Sequence, residues 1–447
     1  MAGRDPSWNP ASDAAGAGLP RVAWGRGCHV QDAAGRRYID ASGGPAVFCL
    51  GHGHPEVNAA IAAQLDRIAH GYRYTFTSDP LEELTARVAA AAGPDLDSMV
   101  FVSGGSEAVE SALKIALQYH SARGEPNRRR FIARRRSWHG NTLGALAVSD
   151  FTARRAPFEG ALVEASFVPS VNLYRPPAGV APADLGAHAA AELEAEIERL
   201  GAERVAAFIF EPVVGAAGGV LPAPEGYARR IRDLCDRYGV LMIADEVMCG
   251  AGRCGTWRAL EHDGVVPDIC AVAKGLGGGY VPLGAALYHR RLAEVLDAVD
   301  GGPLTGHTFT GHTLACAAGV AVQRIIERDH LLERVARDGA TFRAALAAEV
   351  ADIEAVGDVR GRGFFVGVEF VRDRASREPF DPALGVSGRV GSAANALGLL
   401  LYPIGGNVDG TRGDALILAP PYNAPPEILD EIVVLTGRAI RTALGGA

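Results

Sequence analysis

The chain has 447 residues, 48% of them apolar and 21% charged, with a formal net charge of −8 and a pI near 5.9. That length calls for two packed regions or one large α/β body with an appendage, and the composition is that of an ordinary globular protein. An acidic balance with dispersed basic residues argues against nucleic acid or anionic membrane as the main partner, and no apolar run reaches the roughly 18 residues of a membrane span.

The first twenty residues are rich in Ala, Gly and Pro and have no apolar stretch behind basic residues. They predict a frayed start without a secretory signal. Strands are predicted at 99–103 ("MVFVS"), 130–134 ("RFIAR"), 205–213 ("VAAFIFEPV"), 239–247 ("GVLMIADEV"), 268–274 ("DICAVAK") and 284–289 ("GAALYH"). Helical patterns fall between them at 106–122, 189–202 and 225–239, and a longer helix opens near 311–330. Short apolar strands separated by helices predict an α/β fold whose mostly parallel sheet is covered on both faces. A glycine-punctuated α+β tail follows, with "GDVRGRGFFVGVEFV" (357–371) and "GDALILAPP" (413–421), and reads as a second, smaller domain. The basic run "NRRRFIARRRSWHG" (127–140) is broken by "FIA", which fits a solvated strand flank better than an anion patch. Seven widely spaced cysteines, the nearest pair being Cys249 and Cys254, have no metal-ligand spacing. They predict buried free thiols in a reducing cytoplasm and no metal site.

Ligands of open α/β sheets gather beyond the carboxyl ends of the strands, and four chemically useful stretches sit there. The first is "AVAKGLGGGY" (271–280). Only Lys114 and Lys274 are lysines among 44 basic residues. A lysine closing an apolar strand is desolvated, which lowers its pKa; a neutral amine attacks carbonyls, and a guanidinium does not. Lys114, mid-helix in "ESALKIAL", reads as a solvated face residue. The second stretch, "VSGGSEAVESALK" (102–114), joins a strand, a glycine turn and a helix N-terminus, so Gly105 and Ser106 are placed to hold a phosphate. It lacks the Gly-Lys-Ser/Thr of a nucleotide loop, which disfavours ATP. In the third, "LMIADEV" (241–247), Asp245 ends a buried strand and needs donors or a cation, such as a protonated pyridine nitrogen. The fourth, "SWHGNT" (137–142), offers Trp138 as a flat stacking face. Taken singly, each also has a purely structural reading: a snorkelling lysine, a serine N-cap, an aspartate that caps or pairs with arginine, a core tryptophan.

Together, and in the chain order phosphate cradle, stacking aromatic, strand-end aspartate and lysine, they are the four grips needed on pyridoxal phosphate (PLP). The sequence resembles the class III aminotransferases of the aspartate-aminotransferase-like fold. Eight ordered stretches carry the resemblance: "DASGGPAVFCLGHGHPEVNAAI", "SGGSEA", "WHG", "EPVVGAAGG", "ADEVMCGAGRCG", "AKGLGGGYVPLGA", "GHTFTGHTLACAAG" and "GDALILAPP". It implies PLP fold type I, with an N-terminal segment (1–60) packing with the small domain, a large cofactor domain (61–320) and a small α+β C-terminal domain (321–447). It implies that Lys274 carries the cofactor as a Schiff base and shuttles a proton, while Asp245 keeps the ring nitrogen protonated. Trp138 and Val247 would flank the ring, and Gly105 and Ser106 would hold the phosphate. His139 would brace the site or serve the structure alone. Thr308, in "GHTFTGH", matches a family threonine that reaches the neighbouring subunit's phosphate, which implies a homodimer or a tetramer of dimers.

The resemblance also bears on substrate. Glu211 of "EPVVG" matches a gate glutamate that pairs with a mobile arginine. Arg412 lies near where that arginine falls, but directly precedes "GD" where many relatives have intervening residues. Pro45 and Ala46 stand where amine–pyruvate relatives place a bulky aromatic, implying a roomier pocket that Tyr72, Tyr74 and Phe76 would line. The implied reaction is a ping-pong transfer of an amino group from a primary amine or ω-amino acid to a 2-oxo acid. Transfer from an amino acid to a ketone or aldehyde, such as a sugar or natural-product intermediate, is its variant. Decarboxylating transaminases, aminomutases and epimerases share the same grips. "GLGGGY" and "SGGSEAVES" also prompt an NAD(P) oxidoreductase, although neither cleanly opens a helix after a first strand with an acidic residue about 20 positions on. The retained Lys274 speaks against a non-catalytic scaffold.

Overall fold

Six strands running one way and one running against them form the central sheet of this computed structural model, which describes residues 19–445. From edge to edge the strands are Ser98–Val102, Gly284–Tyr288, Ile269–Val272, Leu241–Asp245, Val205–Phe210, Arg130–Arg134 and Ala165–Val168. Gly284–Tyr288 is antiparallel to both neighbours; the remaining pairs are parallel. The mostly parallel α/β sheet anticipated from the sequence is present. Its edge strand Ala165–Val168 escapes the sequence pattern because "ASFV" is short and only partly covered. The frayed start expected for the first twenty residues falls, up to Gly18, outside the described residues.

The unbroken apolar run of Val205–Phe210 is buried at every position because helices cover both faces. Strand alternation sorts the side chains between the two layers. Leu241 and Ile243 pack toward helix Gly105–Ala122, while Met242 and Ala244 join helices Leu185–Leu200 and Tyr227–Tyr238. Burying Leu241, Met242 or Ile243 stabilises the fold by roughly 1.5–3 kcal/mol each. Asp245 shares the parity of Ile243 and therefore the face of the Gly105–Ala122 helix.

A second sheet, antiparallel throughout, runs Val356–Arg362, Phe365–Phe370, Asp414–Leu418 and Tyr402–Gly405. Helices Leu331–Glu349, Val386–Ala396 and Pro426–Leu444 share its core, with Val366, Val368 and Leu416 against Phe342, Val390 and Ile432. The N-terminal strand Arg37–Asp40 pairs with Leu399–Leu400, and Ile39, Cys49 and Leu50 enter the same core. Helix Thr313–Arg328 runs across position 320: Ala315 and Cys316 pack with Leu84 and Leu283, whereas Val322 and Ile326 belong to the C-terminal core. Among the described residues no helix is long and apolar enough to cross a membrane.

Candidate active site

The co-directional strands bring their carboxyl ends to one side of the sheet. There a pocket of about 310 Å³ is lined by Ser103, Gly105, Ser106, Trp138, His139, Glu211, Asp245, Val247 and Lys274, among others. A larger groove of about 770 Å³ holds none of these residues, and its Arg360 is tied to Glu369 and to the carbonyls of Gly218, Gly219 and Val220.

Lys274 lies beyond strand Ile269–Val272, not as its last residue, and opens the tight turn Lys274–Leu276. Its φ of 45° is a left-handed conformation that costs a non-glycine residue of order 1–3 kcal/mol. Burial lowers its pKa, and the carboxylates of Asp245 and Glu211 partly oppose that. The glycines that follow have a steric reason: at Gly279, with φ 82°, a Cβ would stand 2.6 Å from the Phe48 ring.

Asp245 is buried at the end of its strand. Its Oδ2 lies 2.7 Å from Nδ1 of His139, and its Oδ1 accepts from the Val247 N–H at 3.0 Å. The partner is thus an imidazole and not the arginine of the structural reading. His139 is held by its own N–H, which donates to Ser149 Oγ at 2.8 Å, while its buried Nε2 has no partner. Glu211 is buried as well, and its two oxygens accept from the N–H groups of Trp138 (3.0 Å) and Gly215 (2.8 Å). Burial raises its pKa; His139 opposes this and Asp245 adds to it.

Helix Gly105–Ala122 begins with Gly104 as its N-cap and no side-chain cap, so Ser106 is not the capping serine. Ser106 Oγ instead accepts from the Asn141 N–H at 2.9 Å, and Glu107 reaches back to the Ser103 N–H at 2.7 Å. The first-turn N–H groups are left without a side-chain cap, and Gly105 and Ser106 line the pocket. A Cβ on Gly105 would come within 2.7 Å of Val247 Cγ1, so glycine lets that wall residue close on the turn. Val47, Met248 and Pro282 also line the pocket. Sequence reasoning passes over them because apolar wall residues carry no chemical signature.

Other residues singled out in the sequence lie outside the pocket lining. Ala46, at φ 60°, is buried beneath the wall against Val213 and Met248, and the next residue, Val47, reaches the pocket. Tyr72, Tyr74 and Phe76 are exposed and do not line the pocket of their own chain. Thr308 is exposed on the loop before helix Thr313–Arg328. The structure does not bring Arg412 to Glu211: Arg412 Nε pairs with Asp409 Oδ2 at 2.7 Å and Nη1 with Glu378 at 3.6 Å. Lys114 is exposed on its helix. "GLGGGY" leads into the strand Gly284–Tyr288 and not a helix, so the nicotinamide fingerprint lacks the element it requires. Among the described residues no group of three or more His, Cys, Asp or Glu side chains could hold a metal ion.

The sequence profile of aminotransferase class-III matches residues 16–433. An uncharacterized aminotransferase of Schizosaccharomyces pombe is 40% identical over 432 residues, covering 95% of this chain and 93% of that protein. Among solved structures, a PLP-bound amine transaminase from an uncultivated Pseudomonas species superimposes with a TM-score of 0.90 at 35% identity, covering 98% of each chain. An (S)-enantioselective omega-transaminase from Thermomicrobium roseum does so with a TM-score of 0.89 at 34% identity, over 95% of this chain and 93% of that one. Class III aminotransferases depend on PLP as a family. The uncapped helix start, the desolvated amine and the strand-end carboxylate fit that cofactor's phosphate, aldehyde and ring nitrogen. The chain belongs to the class-III aminotransferase family.

Proposed function

We propose that this chain is a PLP-dependent transaminase that moves an amino group from a primary amine or ω-amino acid to a 2-oxo acid in a ping-pong exchange. One observation carries the reading: the desolvated Lys274 amine and the Asp245–His139 pair line the same pocket. When bound, the cofactor supplies an aldehyde that takes up the amino group and a ring that stores an electron pair. Lys274 would anchor it, and its amine would move a proton to and from the substrate carbon. Burial lowers its pKa, which favours the neutral Nζ that accepts that proton. Asp245, oriented by His139, holds a proton on the ring nitrogen. Trp138 and Val247 confine the ring, and Gly105 and Ser106 donate N–H groups to the phosphate. Glu211 fixes the Trp138 backbone.

On this reading a second copy completes the site. Exposed Thr308 reaches the neighbouring phosphate, and exposed Tyr72, Tyr74 and Phe76 supply apolar surface for a homodimer. The seven cysteines are free and buried, which supports a cytoplasmic setting.

The two-lysine composition makes the test clean. Holoenzyme reduced with borohydride should carry the cofactor mass on the Lys274 peptide alone. Lys274→Ala should lose the bound chromophore and, through proton carriage alone, roughly 10²–10⁴-fold in amino transfer. Label on the Lys114 peptide, or an active Lys274→Ala enzyme, defeats the reading.

A further inference from the structure

A substrate bearing a carboxylate needs a cation at the pocket mouth, and the arginine suggested by the sequence is committed elsewhere. Arg412 is paired with Asp409 and Glu378, and Arg136 with Asp150. Arg155 donates to the carbonyls of Leu146, Ala147 and Ser149. Arg154, on the short helix Thr152–Arg155, differs from all three. Its Cζ lies 4.8 Å from the centroid of the Trp138 ring and 5.4 Å from that of Phe151. Trp138 is a wall of the pocket, and Phe151 meets it edge-on at 5.7 Å. Among the described residues nothing accepts a hydrogen bond or ion pair from the exposed Arg154 side chain.

Stacking occupies the face of a guanidinium and leaves its N–H edge open, the geometry that receives a carboxylate in bidentate fashion. Tyr402 stands close by: burial raises its phenol pKa and the charge of Arg154 opposes the rise. Tyr402 packs on the cluster of Ala46, Val213 and Met248, the last of which lines the pocket. Its hydroxyl makes no hydrogen bond among the described residues.

We propose that Arg154, stacked on Trp138, is the substrate-carboxylate site, receiving the distal carboxylate of an ω-amino acid donor while the Tyr402 hydroxyl donates alongside. The inference rests on the transaminase reading and narrows its donors to amines that carry a carboxylate. Wild-type holoenzyme, Arg154→Gln, Arg154→Lys and Tyr402→Phe are compared in two ways. One is the cofactor absorbance change on adding 6-aminohexanoate or the uncharged hexylamine. The other is calorimetric binding of hexanoate, which has the carboxylate and no amine. Arg154→Gln should raise the KM for 6-aminohexanoate and weaken hexanoate roughly 10- to 100-fold, leaving hexylamine within about twofold. Arg154→Lys should restore part of the loss, and Tyr402→Phe should cost roughly fivefold in hexanoate binding. An unchanged KM for 6-aminohexanoate overturns the proposal, as does an equal loss with hexylamine, which would mark Arg154 as a brace for Trp138. If no amine alters the wild-type spectrum, the transaminase reading fails by itself. Hexanoate binding then decides for Arg154: dependence on it sustains the site, and absent or Arg154-independent binding overturns it.

Discussion

The floor of the pocket and the surface outside it are built on opposite terms. On the floor, Asp245, His139 and Glu211 are each no more than 3% exposed, and their carboxylate oxygens are matched to named donors. Outside the pocket, Tyr74 is 73% exposed and Arg412 pairs with surface acids. A buried charge without partners costs several kcal/mol, so the floor tolerates one arrangement. An exposed ion pair contributes little to stability. On the proposed function the chemistry therefore belongs to the floor, and the exposed surface outside it is free to vary.

The sharpest way to break this contrast is Asp245→Asn. It keeps the shape and removes the charge, and amino transfer should fall roughly 10²–10³-fold, as when one preorganised electrostatic partner is lost. Half-reaction rates measure it; a loss below about tenfold would put Asp245 on a par with residues outside the pocket.

Glu211→Gln probes the floor through stability. A side-chain NH₂ would replace one acceptor facing the Trp138 or Gly215 N–H, at a cost of about 1–3 kcal/mol in chemical denaturation. The sign of the pH dependence follows from the raised pKa of Glu211. The native state keeps this proton where the unfolded chain, near its usual value of 4.5, has released it. Wild-type stability therefore drops relative to Glu211→Gln as pH rises through the raised pKa, and the gap between them narrows. A gap that widens with pH would mean that Glu211 is ionised throughout.

The smallest effect is expected at Arg412→Gln. Turnover and KM should stay within about twofold of wild type, because the side chain is held by surface acids and not by the pocket. A large rise in KM for a carboxylated donor would return this arginine to the site and remove the distinction.

Much of the central sheet was legible because buried parallel strands are continuous apolar runs. "RFIAR" matches its strand at both ends, and 239–247 shrinks only to Leu241–Asp245. Lys274 stood out by chemistry: it is one of two lysines, it sits after an apolar strand, and a desolvated amine has few structural uses. Asp245 stood out for the same reason, as a carboxylate ending a run that should hold none.

Only the tertiary structure decided which groups meet. His139 and Asp245 are 106 residues apart in sequence, and the order of parallel strands brings them within 2.7 Å. Arg37–Asp40 lies beside Leu399–Leu400 for a like reason. The uncapped start of Gly105–Ala122, the pairing of Arg412 with Asp409 and Glu378, and the stacking of Arg154 on Trp138 all depend on where loops come to rest. Periodicity reports the face a residue buries, since that depends on its near neighbours. The partner of a loop side chain depends on chain closure over tens to hundreds of residues, which no local pattern records.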